Sequence, residues 1–117
     1  MKTTFVVAIL FCLIGAHARA QTTTVAGTLV DNACRLEGMT AEQLAKHDKG
    51  CLQMGVCVKS GYSIVTADGK AFTLDTKGNA MAAAEVKKST RKTDFKATVT
   101  GLVKGETIAA TSITIDK

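Results

Sequence analysis

The residues best suited to chemistry are concentrated between positions 31 and 61. This stretch contains three thiols and one imidazole, at Cys34, His47, Cys51 and Cys57. Together they form a Cys₃His set that suits tetrahedral Zn²⁺, and soft thiolates with Met39 or Met54 nearby would also suit copper(I). His47 and Cys51 are four residues apart, the spacing at which a helix presents two ligands on one face. The first interpretation is therefore a Zn or Cu site made by all four residues.

A disulfide is the alternative use of the same thiols. Three cysteines allow one bridge and leave one thiol over, and export to an oxidising compartment would favour that bridge. Pairing Cys34 with Cys51 or Cys57 would close the longer loop and stabilise more, so Cys34 is the preferred partner. The disulfide-stabilised domain would then bind a protein, a small molecule or an oligosaccharide without metal, and both interpretations stay open.

Catalytic patterns are poorly represented. His47 and Asp48 are neighbours, and adjacent side chains on a helix point about 100° apart, so they do not form an oriented base pair. The chain contains no G-x-S-x-G, no phosphate-binding glycine loop and no C-x-x-C. A thiol activated by His47 is the remaining catalytic alternative. We expect a binding or structural module and not an enzyme.

The first 20 residues have the pattern of a secretory signal peptide. Lys2 precedes an apolar run over residues 5–15, and Ala18-Arg19-Ala20 is a small-x-small cleavage pattern. The run is much shorter than the ~20 residues that span a membrane. Cleavage after Ala20 would leave a single domain of residues 21–117, without a membrane span, in the periplasm or outside the cell.

The charge of this domain does not suggest a nucleic-acid partner. Removing Lys2 and Arg19 from the 15 basic residues leaves 13 against 10 acidic ones, a net charge of +3. The densest basic group is scattered, and it is better explained as a solvated helix end with its following loop: Lys87, Lys88, Arg91, Lys92 and Lys96. The expected partner is a protein or a small ligand.

Two helices are predicted between strands. Residues 22–31 are rich in Thr and Val and predict the first strand. Thr40 and Gln43 form a capping box, which predicts a helix to about Lys49 with Gly50 as its left-handed end. Loops are expected around Cys34 and Cys57.

In the second half of the chain, apolar and polar residues alternate with a period of two, which predicts two β-hairpins. Asp68-Gly69 predicts the first hairpin turn, Thr76-Lys77-Gly78 predicts a turn, and Asn79 predicts the start of a helix that ends near Ser89. Gly105-Glu106 turns the last two strands. The inward face of the fourth strand is predicted as Phe95, Ala97, Val99, Gly101 and Val103.

This order of elements predicts a mainly β fold. Five strands, with a short helix in the connection between strands 1 and 2 and another between strands 3 and 4, match a five-stranded OB-fold-like barrel with helical insertions. An antiparallel β-sandwich is the alternative.

Several short motifs run through the whole domain: Val25-x-Gly27, Val30-Asp31-x-x-Cys34, His47-x-x-x-Cys51, Cys57 with Gly61-Tyr62, Asp68-Gly69, Val99-Thr100-Gly101 and Glu106-Thr107-Ile108. In these motifs the chain resembles small exported bacterial proteins with a single OB-like barrel and a Cys/His-containing first loop. The resemblance implies the same fold and export. That group has no established activity to carry over.

The cleavage pattern generates a first prediction. The intact mass of the exported protein should equal that of residues 21–117, allowing for cyclisation of Gln21. A mature chain that retains Cys12 with a lipid attached would contradict it.

Overall fold

The computed structural model describes residues 21–117, and the leader predicted for residues 1–20 lies outside the described residues. The elements follow in the order β1 (Thr22–Asp31), α1 (Asn32–Leu36), α2 (Ala41–Ala45), α3 (Lys49–Gln53), α4 (Gly55–Ser60), β2 (Tyr62–Val65), β3 (Ala71–Leu74), α5 (Thr76–Lys88), β4 (Lys96–Lys104) and β5 (Thr107–Ile115). Within residues 21–117 no helix is long and apolar enough to cross a lipid bilayer.

The five strands close into a barrel in the order β1-β2-β3-β5-β4. Neighbouring strands are antiparallel except β3 and β5, which run parallel with Thr73 opposite Thr107 and Leu74 opposite Ile108. The first hairpin turns at Gly69 and the last at Gly105, both with positive φ. The predicted OB-fold-like barrel, mainly β with helical insertions, is confirmed.

The barrel interior holds the main core, and the alternation of β4 is confirmed. Ala97 and Val99 are 2% and 0% exposed, whereas Lys96 between the core residue Phe95 and Ala97 is exposed. Helix α5 packs Ala82 and Val86 against the same core. Burial of these apolar faces is the main term that stabilises the fold.

The last residues of β1 are buried on both faces. Leu29 points into the barrel core, whereas Val30 on the outer face packs with Leu44 of α2 and Val65 of β2 in a second, smaller cluster. Helix α2 therefore covers the outer surface of β1 where that strand ends. This covered strand end is where the functional candidates meet.

The helical insertion differs from its prediction. The capping box of Thr40 and Gln43 is present, but α2 ends at Ala45 and the predicted helix to Lys49 is wrong. Asp48 begins a separate helix, α3, because its side chain accepts a hydrogen bond from the Cys51 backbone N–H. Gly50 lies inside α3 and is not a left-handed helix end.

Three further boundaries differ. The segments around Cys34 and Cys57, predicted as loops, form the short helices α1 and α4. Helix α5 begins at Thr76 and not at Asn79, because the Asp75 side chain accepts from the Gly78 N–H at 2.8 Å. The Asn79 side chain accepts instead from the Tyr62 N–H at 2.9 Å and ties α5 to β2.

The burial of β4 generates a second prediction. Val99→Asp should abolish folding, because an unpaired buried charge costs several kcal/mol against a total stability of about 5–15 kcal/mol. Thr98→Asp is the matched control on the opposite face and should change the free energy of unfolding by only about 1 kcal/mol. Equal losses in urea denaturation for the two variants would contradict the assignment of faces.

Candidate metal centre

Asp31 is the deepest polar residue of the site. It ends β1 and caps α1, where its Oδ1 accepts a hydrogen bond from the Cys34 N–H at 2.9 Å. The side chain is fully buried, and Oδ2 has no hydrogen-bond partner within residues 21–117. Buried polar atoms are normally paired, so this orphan oxygen calls for an explanation.

His47 faces that oxygen from the link between α2 and α3. Its Nδ1 lies 3.9 Å from Asp31 Oδ2, too far for a hydrogen bond, and is itself buried without a partner among the described residues. The link is held from both sides, because Asp94 N–H donates to the Ala45 carbonyl at 2.8 Å and Lys49 N–H donates to the Lys92 carbonyl at 2.9 Å. The position of His47 is therefore set by tertiary contacts.

Cys34 completes a group of three potential ligands. One carboxylate oxygen of Asp31, the Cys34 sulfur and one ring nitrogen of His47 all lie within 4.8 Å of one another. The group combines oxygen, sulfur and nitrogen donors at the junction of β1, α1 and the α2–α3 link. Such a group can hold a transition-metal ion.

The electrostatics keep the metal-free thiols protonated. Burial, together with the neighbouring Asp31 carboxylate, raises the pKa of the Cys34 thiol to about 12. Burial also raises the pKa of Cys51 and of Cys57. These shifts are the opposite of those that activate a cysteine nucleophile. A bound cation would instead lower the pKa of a thiol that binds it, since thiolate ligands are deprotonated on binding.

The other two predicted ligands lie outside the group of three. Cys57 is 4% exposed on α4, which packs against α1, and burial together with the nearby Asp31 carboxylate raises its pKa although the neighbouring Cys34 thiol acts in the opposite direction. Cys51 lies on α3, which packs against α4 and α5. The predicted pairing of His47 with Cys51 on one helical face is wrong, because the chain breaks between α2 and α3.

The disulfide prediction is not met in this structure. Cys34, Cys51 and Cys57 are all free thiols. The two methionines considered for copper(I) lie in different surroundings. Met39 is partly buried and packs against the cluster of Val30 and Leu44, whereas Met54 is 53% exposed.

Sequence reasoning missed Asp31 as a candidate ligand. The available signal was an aspartate that ends an apolar strand three residues before a cysteine. On its own this pattern indicates a helix cap, and Asp31 is one. Only the fold reveals that its second oxygen faces His47.

Comparisons with protein-family models, with curated proteins and with solved structures found no match for this chain. The resemblance to small exported OB-fold-like proteins accordingly stays a prediction. The class that fold and site define is an OB-fold-like barrel with an Asp/Cys/His group at the end of its first strand.

The raised thiol pKa generates a third prediction. In metal-free protein at pH 8, Cys34 should react with iodoacetamide at least about tenfold more slowly than a peptide thiol, because the thiolate is scarce. Its rate should keep rising with pH beyond 9, where an ordinary thiol levels off.

Asp31→Asn should accelerate this alkylation, since it removes a negative charge beside the thiol and keeps an oxygen to cap α1. Peptide mass spectrometry after timed quenching measures both rates. A Cys34 that reacts as fast as the peptide thiol would contradict the prediction.

Proposed function

We propose that this protein binds one divalent transition-metal ion, Zn²⁺ in particular, through Asp31, Cys34 and His47, with Cys57 as the fourth ligand. We further propose that it acts as an exported bacterial binding module and not as an enzyme. Export depends on the leader pattern of residues 1–20.

One observation carries the metal proposal. Asp31 Oδ2 and His47 Nδ1 are both buried, both lack a hydrogen-bond partner within residues 21–117, and face each other at 3.9 Å. Ligand atoms at ~2.0–2.3 Å from a tetrahedral ion lie about 3.3–3.8 Å from one another. A shift of a few tenths of an ångström would bring both atoms onto one ion.

The donor set favours zinc over copper(I). Zn²⁺ takes carboxylate, imidazole and thiolate ligands together, whereas copper(I) prefers sulfur donors. The carboxylate of Asp31 and the exposure of Met54 both reduce the match to copper(I).

Cys57 is the best-placed fourth ligand. It is nearly fully buried, its helix packs against α1, and its thiol is a neighbour of the Cys34 thiol. Four protein ligands would close the site, as in structural zinc centres, whereas a catalytic centre keeps one position open. This closure and the raised thiol pKa values are the grounds for proposing binding without catalysis.

The alternative of a metal-free barrel that binds an oligosaccharide has less support. Such surfaces stack their ligands on aromatic side chains. Every aromatic residue in the described part of the chain is buried: Tyr62, Phe72 and Phe95.

The proposed site generates a fourth prediction. Protein purified without a His-tag, stripped with a chelator and titrated with Zn²⁺ against a competing indicator should bind one ion per chain. Asp31→Asn should weaken binding at least about tenfold, because the anionic ligand is lost while the cap of α1 is kept. His47→Gln should weaken it similarly.

Asp48→Asn is the matched control. Asp48 caps α3 as Asp31 caps α1, with its Oδ1 2.8 Å from the Cys51 backbone nitrogen, but its side chain is exposed and outside the group of three. The affinity of the Asp48→Asn variant for Zn²⁺ should equal that of the unmodified protein. Binding below one ion per chain, or equal losses for the two Asn variants, would overturn the proposed function.

A further inference from the structure

We propose that the metal centre is redox-gated: oxidation joins Cys34 and Cys57 in a disulfide, and this bond and the metal ion exclude each other. The first half of this inference concerns the metal-free protein. The second half rests on the proposed function.

A single hydroxyl group brings the two cysteine-bearing helices together. Ser60 Oγ accepts a hydrogen bond from the Ala33 N–H at 3.0 Å and donates one to the Cys57 carbonyl at 2.7 Å. The first turn of α1, beside Cys34, and the backbone of Cys57 are thus both in contact with the same oxygen atom. A disulfide requires Cα atoms about 4.4–6.8 Å apart, so two cysteines can be joined only when the segments that carry them pack directly, as α1 and α4 do here.

Asn32 fixes the same junction by two further bonds. Its side-chain Nδ2 donates to the Ser60 carbonyl at 3.0 Å, and its backbone N–H donates to the Gly61 carbonyl at 2.9 Å. Helices α1 and α4 are therefore held next to each other before any covalent bond forms, so forming the disulfide costs little conformational entropy.

Cys51 is the less suitable partner for either thiol. Its helix packs against α4 and α5, and none of the hydrogen bonds that Ser60 and Asn32 make between α1 and α4 involves it. Cys51 and Cys57 also belong to separate helices that break at Met54. The structure therefore assigns Cys51 as the thiol that stays free.

The oxidant required is a small disulfide. The Cys34 thiol, which is partly exposed, first loses its proton to solvent; the thiolate, which is scarce at pH 8, then slowly attacks one sulfur of the oxidant, forms a mixed disulfide and expels one thiolate. The buried Cys57 sulfur then attacks the Cys34 sulfur of the mixed disulfide and expels the second thiolate. Both cysteine protons end on the two expelled thiols, so the protein loses two electrons and the small disulfide gains them.

The bridge removes two of the four proposed ligands at once, because only thiolate sulfur binds zinc strongly. Asp31 and His47 would remain as a two-ligand set. The metal ion would leave to water on oxidation and return on reduction.

The first test uses metal-free protein, so its result does not depend on metal binding. After incubation with oxidised glutathione at pH 8, remaining thiols are alkylated and the cysteine-containing peptides are mapped by mass spectrometry. We expect a linked Cys34–Cys57 pair and an alkylated Cys51. Cys51→Ser should form the same bridge to the same extent.

A bridge that includes Cys51, a stable mixed disulfide at Cys34 without a bridge, or three unoxidised thiols after an incubation in which a peptide dithiol is fully oxidised would overturn the inference and leave the proposed function untouched. The second test titrates the oxidised protein with Zn²⁺. Its affinity should be at least about a hundredfold below that of the reduced protein and should recover fully with dithiothreitol. Reduced protein that binds Zn²⁺ and keeps that affinity after bridging would overturn the gating alone.

Discussion

The burial of the Asp31 carboxylate is the constraint on which the rest of this structure depends. Removing an ionised carboxylate from water costs several kcal/mol unless its oxygens gain partners. One oxygen gains the Cys34 N–H, which stabilises α1, and the other gains none within residues 21–117. A carboxylate left in this state destabilises the fold and simultaneously attracts a cation. The orphan nitrogen of His47 beside it makes a metal ion a better match than a lysine or arginine side chain.

The barrel and the helices both serve to keep that carboxylate covered. Asp31 is paired with Tyr62 across β1 and β2, and the Tyr62 hydroxyl donates to the Leu52 carbonyl at 2.8 Å. That bond ties α3 to the barrel on one side of Asp31. On the other side, α2 is held by the packing of Leu44 against the outer surface of β1. A ligand group that spans one strand and several short helices is rigid only because each helix is anchored separately.

The parts of the fold that depend on local physics could be predicted from sequence. Alternation predicted the faces of β4, Asp68-Gly69 and Gly105-Glu106 predicted the two hairpin turns, and Thr40 with Gln43 predicted the start of α2. Competition between caps explains where local reasoning was wrong. Two side chains, at Asp48 and Asp75, were better placed to begin a helix than the residues predicted to continue or begin one. The periodicity of apolar residues does not indicate which of several possible capping residues will begin a helix.

The candidate site was predictable only in part, for a different reason. Cys34 and His47 were expected because their chemistry is rare, but Asp31 has an ordinary local role and its approach to His47 is a contact between distant segments. The same local pattern occurs twice, as Asp31-x-x-Cys34 and Asp48-x-x-Cys51, with nearly equal capping distances of 2.9 and 2.8 Å.

The two copies differ in what covers them. The second oxygen of Asp48 belongs to an exposed side chain, and the hydrogen bonds of the cap lower the pKa of that carboxyl by more than desolvation raises it. Asp31 makes the same cap at the end of β1 and beside His47, where its second oxygen is removed from water. The proposed metal-binding role of the first copy therefore depends on its burial at the end of β1, a property that no four-residue motif contains.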